Sequence, residues 1–540
     1  MLQQRRRPRP ARRSAVMQEH KHHTGCCGCH LEPMKRRTFL AALGGTAATA
    51  AVVSGCATTE TRRGAAAAAR ERVHPSRPRK ALVVQPVLSY QLFQRQNQTS
   101  WRSWGGLHTQ DDVTQETDRI DGEIKNLKTQ AEFPVEFRPL ARVTNKDEAA
   151  VLRDGDADVM LIYGATGGVE EMETLISPKR YNIVFVRHET GPAYLWYEIA
   201  HPRLLRKTVD EYGQPGLEPC DVVVDQTADV LWRLRSFYAL KNTVGSRIVC
   251  IGGASGWGAG GQDAPKIAKE LWKMELLDEP YDDLGKRIVA ARQDAARVAR
   301  AEAMTDEYLG LPGTKLETDR TFMVCAYLLT EIFEDLMAEM NAPAITVNNC
   351  MGTIMPLSET TACMPLSFIN DDGGMAFCES DFAVIPSGIL LHHIAQTPVF
   401  LQDPTYPHHG VVTVAHCTAP RKMDGKTLEK TRILTHFESD YGAAPKVDMR
   451  IGQIITMIDP DFETKRWIGF RGTIKANPFL DICRSQIDVA IEGDYRRLAE
   501  EMRGFHWMLA YGDHLRETGY ALRKLGVGWY NLSDDRTMEA

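Results

Sequence analysis

From Lys80 onward the hydrophobic positions come in short runs separated by longer amphipathic stretches. The run K-A-L-V-V-Q-P reads as a strand, residues 111–130 as a polar-faced helix, and D-V-M-L-I-Y-G as a strand ending at Gly164. Y-N-I-V-F-V-R and D-V-V-V-D are two further strands, followed by a helix over 228–240. Strands alternating with helices predict a parallel sheet covered on both faces, so 80–241 is expected to form a doubly wound, Rossmann-like α/β domain. A second such domain is expected over 242–345, opening on S-R-I-V-C-I-G-G. Its two long helices, about 281–309 and 319–341, carry apolar stripes at helical spacing (Leu284, Ile288, Val289; Val324, Tyr327, Leu328). After Pro343 strand-like runs dominate: V-V-T-V-A-H, T-R-I-L-T-H-F, G-Q-I-I-T-M-I, R-W-I-G-F-R-G-T-I and S-Q-I-D-V-A-I. Consecutive strands with turn residues between them predict an antiparallel, β-barrel-like domain over 346–540.

Composition narrows the class. A chain of 540 residues is too long for one core, and 43% apolar with 25% charged residues is that of a soluble globular protein. The net charge of −5 gives no reason to expect a nucleic-acid partner. No apolar run after residue 80 is long enough to cross a membrane.

The basic residues are nevertheless uneven. From Met34 the chain reads M-K-R-R-T-F-L, and Arg36-Arg37 resembles a twin-arginine export signal. An uncharged, Ala- and Gly-rich run follows, short for a span but suited to a signal core. It ends in V-S-G-C, which resembles a lipobox with Cys56 as the lipidated residue; a cleaved signal without lipid is the alternative. Residues 1–79 are therefore expected to be signal and flexible tether, and the protein exported, periplasmic and held to a membrane through a lipid anchor. Met17 and Met34 are alternative starts, and in that context the cluster at Cys26, Cys27, Cys29 and His30 carries little weight as a metal site. The cysteines from Cys220 to Cys483 are spread through apolar elements and read as buried thiols.

Two segments carry candidate chemistry. The first is the glycine-rich turn from Gly252 to Gly261, expected at the carboxyl edge of a sheet and facing a ligand cleft. Its spacing departs from a dinucleotide fingerprint, so no nucleotide cofactor is expected. The second is 350–420, with C-M-P-L-S-F-I-N-D-D-G-G-M-A-F-C-E-S-D, then an apolar helix, then F-L-Q-D and V-T-V-A-H-C. Glu379, Asp403 and His416 each sit at the margin of an apolar element, and His506 in G-F-H-W does the same near the C-terminus. A carboxylate so placed is costly without a cation or hydrogen bonds. Taken singly each is an ordinary loop carboxylate or a satisfied core histidine; together they point to a metal site. Mixed carboxylate and imidazole donors suit Mn²⁺, Fe²⁺, Co²⁺ or Zn²⁺, and the oxygen-rich set leans toward Mn²⁺. The adjacent pair His392-His393 lies inside the apolar helix and reads as structural.

At these residues the chain resembles the L-fucose/L-arabinose isomerase superfamily. F-C-E-S-D, F-L-Q-D, A-H-C-T-A-P and G-F-H-W match that family's order of acidic turn, acid-ended strand, His-ended strand and late histidine, with Asp403 24 positions after Glu379. The likeness in motifs covers about 346–530; over 80–345 it is one of architecture. It implies two α/β domains followed by a barrel-like domain, a divalent metal, a monosaccharide substrate, and a homo-oligomer, trimer or hexamer. It further implies that Glu379 and Asp403 are both ligands and the acid/base pair, with His506 as third ligand and His416 a ligand or pocket wall. Asn370, Asp371, Trp257 and Trp104 are weaker candidates for sugar contacts, Trp104 being equally suited to plain core. The stretches Met351–Met355 and Thr360–Ala362 depart from the arabinose branch, leaving the sugar open: fucose, arabinose or a related aldose. The alternative reading is an exported, lipid-anchored carbohydrate-binding or other metal-dependent carbohydrate-active protein on the same scaffold.

Overall fold

Strands buried on both faces need apolar residues at nearly every position, and the first sheet shows why its strands read as continuous runs. The computed structural model describes residues 79–194, 205, 214–462, 465–534 and 537–538. The readings at Arg36, Arg37 and Cys56 lie outside the described residues. In the first sheet β1 (Leu82–Ser89) pairs in parallel with β2 (Val135–Phe137), β3 (Ala141–Val143) and β4 (Val159–Gly164). β5 (Tyr181–Val186) and β6 (Val222–Val224) continue it, also in parallel. Helices Gln110–Gln130 and Thr227–Thr243 accompany it; the first is closed by a capping box between Thr109 and Asp112.

The second sheet is also parallel. β7 (Arg247–Ile251) lies between β8 (Glu275–Glu279) and a strand from much later in the chain. β9 (Thr314–Leu316) leaves this sheet and pairs elsewhere. The late strands are β10 (Ala344–Val347) beside β7, and β11 (Met375–Cys378) at the edge. The expected boundary at 345 therefore falls inside a strand, and the second sheet runs on to Cys378. Short apolar strands such as A-I-T-V and M-A-F-C look alike in parallel and antiparallel sheets, so the change of texture past Pro343 misplaced the border. The expected single helix over 281–309 is also two, Tyr281–Gln293 and Ala295–Leu309. Asp294 breaks it: its backbone is extended and its carboxylate accepts from the Ala296 and Arg297 N–H groups, an N-cap that restarts the helix.

The C-terminal region holds a closed antiparallel barrel of six strands. Its members are β12 (Phe400–Pro404), β13 (Val411–His416), β16 (Ile454–Asp459), β17 (Arg466–Ala476), β18 (Ser485–Ile491) and β19 (Trp507–Tyr511), in the order β16-β19-β12-β13-β18-β17 with β17 returning to β16. Closure leaves no free edge within the ring. Phe400, Val412, Val414, Met457, Phe470 and Trp507 pack into one of the buried clusters of this region. Outside the ring, β14 (Lys430–His436) and β15 (Tyr441–Asp448) form a hairpin that takes β9 along its side. No helix among the described residues is long and apolar enough to cross a membrane.

Candidate metal centre

The barrel's register brings three of the expected ligands to one rim. β12 pairs antiparallel with β19, Gln402 opposite Trp507. Asp403 follows Gln402 in β12, and His506 directly precedes β19. β13 flanks β12 on its other side, with Asp403 opposite Ala415, and His416 is its last residue. The fourth side chain comes from the second sheet. β11 ends at Cys378, and the chain turns through Glu379 and Ser380 with φ of 65° and 49°. Two consecutive left-handed residues without glycine cost about 1–3 kcal/mol each and need outside support. Ser380 N–H donates to Thr346 Oγ1 at 3.1 Å, and its carbonyl accepts from Ser255 N–H at 3.1 Å.

The four side chains converge. His506 Nε2 lies 3.3 Å from Glu379 Oε2 and 3.3 Å from Asp403 Oδ1. His416 Nε2 lies 3.8 Å from Glu379 Oε1 and 4.0 Å from Asp403 Oδ1. Both imidazoles are buried, and the carboxylate side chains keep about a quarter of their surface. Asp403 Oδ1, His506 Nε2 and both ring nitrogens of His416 are buried without a hydrogen-bond partner among the described residues. Leaving such atoms unsatisfied costs about 1–3 kcal/mol each. Donors about 2.1 Å from one cation sit about 3 Å apart at neighbouring positions, so the 3.3 Å spacings and orphaned atoms fit a divalent ion. Burial alone would push the His506 pKa down, but the facing Asp381, Asp403 and Glu379 carboxylates outweigh it and raise it. Burial opposes ionisation of Glu379 as well; His506 and His416 overcome that and hold its pKa below the ordinary value.

Asp381 is a member of the site that the sequence reading passed over. Its Oδ2 stands 2.6 Å from His506 Nδ1, and its Oδ1 accepts from the N–H groups of Trp257 and Ala383. The residue closes E-S-D in the sequence, and its partner lies 125 positions away. Glu438, on the turn after β14, also faces Glu379 and Asp403, and desolvation with their like charge raises its pKa.

The glycine-rich turn forms the wall beside this site. Ser255 bridges to Asp381, and Phe382 N–H donates back to Ser255 at 3.0 Å. Gly256 and Gly261 pass so closely that a Cβ on Gly256 would sit 2.0 Å from the Gly261 carbonyl oxygen. This turn sets the half-buried Trp257 against Phe505, ring centroids 4.3 Å apart, and edge-on to His506 at 5.7 Å.

Glu379, Asp403, His416 and His506 are thus brought together, with Trp257 at the rim. The other suggested sugar contacts are placed differently. Asn370 is buried and spends its amide on both backbone groups of Ala376, bracing β11. Asp371 accepts from the Lys422 N–H at 2.7 Å, holding the loop after β13. Trp104 is 66% exposed, which removes the plain-core reading for it. His392 and His393 are buried in the helix Ile385–Ala395. No family profile matches the chain, and no curated protein matches it.

Proposed function

We propose that the protein is a divalent-metal-dependent aldose–ketose isomerase, acting through an enediol on fucose, arabinose or a related aldose. The observation that supports this best is the convergence of two carboxylates and two imidazoles, among which Asp403 Oδ1, His506 Nε2 and the His416 ring nitrogens are buried without a hydrogen-bond partner among the described residues. Glu379, Asp403 and His506 would hold the ion, with His416 as fourth ligand or pocket wall, and the oxygen-rich set favours Mn²⁺. When bound, such a cation supplies Lewis acidity toward the oxygens on carbons 1 and 2 of the open-chain sugar. The protein's own groups move the proton: one of Glu379 and Asp403 removes it from carbon 2 and returns it to carbon 1. Asp381 accepts the Nδ1 proton of His506 and so would leave Nε2, the nitrogen beside the two carboxylates, as the one that gives up its proton and ligates the ion. The stacked faces of Trp257 and Phe505 offer an apolar wall for the sugar ring carbons.

The finer fold reading, two doubly wound Rossmann-like halves ahead of the barrel, goes with this proposal, as does a homo-oligomer of three or six copies. The test is metal-dependent exchange of the carbon-2 proton in deuterated water across an aldose panel. Exchange that Glu379→Gln abolishes supports the enzyme. Stoichiometric sugar binding with no exchange on any aldose would replace it with a carbohydrate-binding role.

We further propose delivery to the periplasm by the twin-arginine route, with Cys56 as lipid anchor. That route carries folded cargo, which suits a protein that loads its metal first. Replacing Arg36 and Arg37 by Lys is expected to stop recovery in the membrane fraction; unchanged recovery would refute the route.

A further inference from the structure

Next to the oxygen-rich centre lies a second group of donors with different chemistry. Cys363 opens the helix Cys363–Asp371, Cys417 follows directly on β13, and His436 ends β14. One donor atom from each lies within 4.8 Å of the other two. All three residues are buried, at 3%, 5% and 6% exposure. A fourth side chain, Cys483, stands with its sulfur 3.8 Å from Cys417 Sγ. All three cysteines are free thiols.

Packing alone explains a buried thiol, since free cysteine behaves as a small hydrophobe. It does not explain why a buried imidazole is set against two of them, with a third sulfur 3.8 Å from one of the pair. Burying a polar nitrogen costs about 1–3 kcal/mol unless it finds a partner, and thiols are weak ones. His436 Nδ1 is 3.4 Å from Ser439 Oγ, which leaves Nε2 as the nitrogen able to turn toward the sulfurs. We propose that Cys363, Cys417 and His436, with Cys483 at the fourth position, form a second metal site that takes Zn²⁺. Three sulfurs and one nitrogen are a closed structural set for that ion. The Cys417–Cys483 separation of 3.8 Å also matches the edge of a tetrahedron with zinc–sulfur bonds of about 2.3 Å. The ion binds thiolates, so each thiol releases its proton to solvent as zinc enters.

The site has a structural consequence for its neighbour. Cys417 adjoins His416 in the chain, and the Cys483 sulfur is 3.8 Å from Asp403 Oδ2 as well as from Cys417. A zinc ion here ties the start of one helix, the ends of β13 and β14 and the loop before β18 into one brace behind Asp403 and His416. The two centres differ in donor class, sulfur-rich against oxygen-rich, and the zinc proposal does not depend on the isomerase reading.

The test uses the full chain purified under reducing conditions, loaded with Zn²⁺, desalted and assayed for metal by mass spectrometry. A parallel sample carries Co²⁺, whose thiolate charge-transfer absorption in the near ultraviolet reports sulfur ligation directly. The expected result is about one sulfur-bound ion per chain, kept in Glu379→Gln. Its affinity should fall at least about tenfold in Cys363→Ser and in His436→Gln, with the cobalt band lost. Should a cysteine variant fail to fold, His436→Gln with an intact far-ultraviolet spectrum and the wild-type cobalt band carry the test. The proposal is overturned if the wild type shows no thiolate–cobalt band, or if both variants bind zinc as it does. It is also overturned if Cys417 and Cys483 form a disulfide in protein isolated without reductant and that bond persists when zinc is offered with reductant.

Discussion

Replacing Asp381 by Asn is the most informative single change, because it alters which nitrogen of His506 carries the proton. The carboxylate serves three donors at once: Oδ2 faces His506 Nδ1 at 2.6 Å, while Oδ1 takes the N–H groups of Trp257 and Ala383 at 3.2 and 3.0 Å. An amide has one acceptor oxygen. If that oxygen stays with the two backbone donors, the NH₂ group faces Nδ1, which must then accept, and the ring proton moves to Nε2. Nε2 is the atom 3.3 Å from Glu379 and Asp403, so its lone pair is lost to a metal. If the amide flips, the backbone donors of Trp257 and Ala383 face NH₂ instead and the turn bearing Trp257 loosens. Either arrangement forfeits a buried, charge-assisted hydrogen bond worth about 1.5–3 kcal/mol. Outer partners of ligating histidines are worth about 10- to 100-fold in metal affinity, so Mn²⁺ binding should weaken by that factor. Calorimetric titration of the metal-free protein with Mn²⁺ at neutral pH measures it, with the far-ultraviolet spectrum confirming the fold. A folded Asp381→Asn protein that binds Mn²⁺ within about twofold of wild type would refute the role given to Asp381.

Three further changes test other parts of the structure. Gly256→Ala drives a Cβ into the Gly261 carbonyl and should destabilise by about 1–3 kcal/mol, read as a lower thermal midpoint; an unchanged midpoint would show the turn to be less tightly packed. Arg187 is buried and paired with Glu116 at 2.6 Å and Glu123 at 2.9 Å; Arg187→Met leaves the buried Glu116 carboxylate to Arg119 and the Tyr194 hydroxyl and should cost about 1.5–3 kcal/mol in urea unfolding. Metal binding should survive that change, since Arg187 belongs to the first sheet. His393 is 4% exposed, and burial pushes its pKa down to about 3 from 6.5. Between those values the unfolded chain binds the extra proton and the native state does not, so stability falls as pH drops below 6.5. Between about pH 7 and pH 5 the loss from this group is about 2 kcal/mol, and His393→Leu should remove that part of the slope in urea midpoints; an equal slope in both proteins would refute it.

What the sequence made legible was what each residue's own neighbours determine. Strands buried on both faces announced themselves as apolar runs, and Glu379, Asp403, His416 and His506 stood out because each ends or borders such a run. The missed features depend on distant partners. Asp381 resembles any carboxylate in a turn until His506 is brought against it. The second sheet's extent was hidden because nothing in A-I-T-V says that it pairs beside R-I-V-C-I. Asp294 is a case where the local signal existed, an N-cap before a new helix, but the apolar stripe ran on past it.

The division of the site between two scaffolds has a mechanical implication. Asp403, His416 and His506 are fixed relative to one another by the pairing of β12 with β13 and β19, inside a ring with no free edge. Moving the backbone of Asp403 or His416 means breaking barrel hydrogen bonds, and His506 is the residue directly before β19. Glu379 instead arrives from another sheet, on a turn held in left-handed geometry by Thr346, Ser255 and the Asp381 contacts. Three donors are therefore preorganised by topology, and the fourth by a few hydrogen bonds that a single substitution removes. Changes that loosen this turn should alter the carboxylate's reach while leaving the other three donors in register. On this reasoning Thr346→Val, which deletes the hydroxyl that accepts from Ser380 N–H, should weaken Mn²⁺ binding more than an equally destabilising change in the barrel wall.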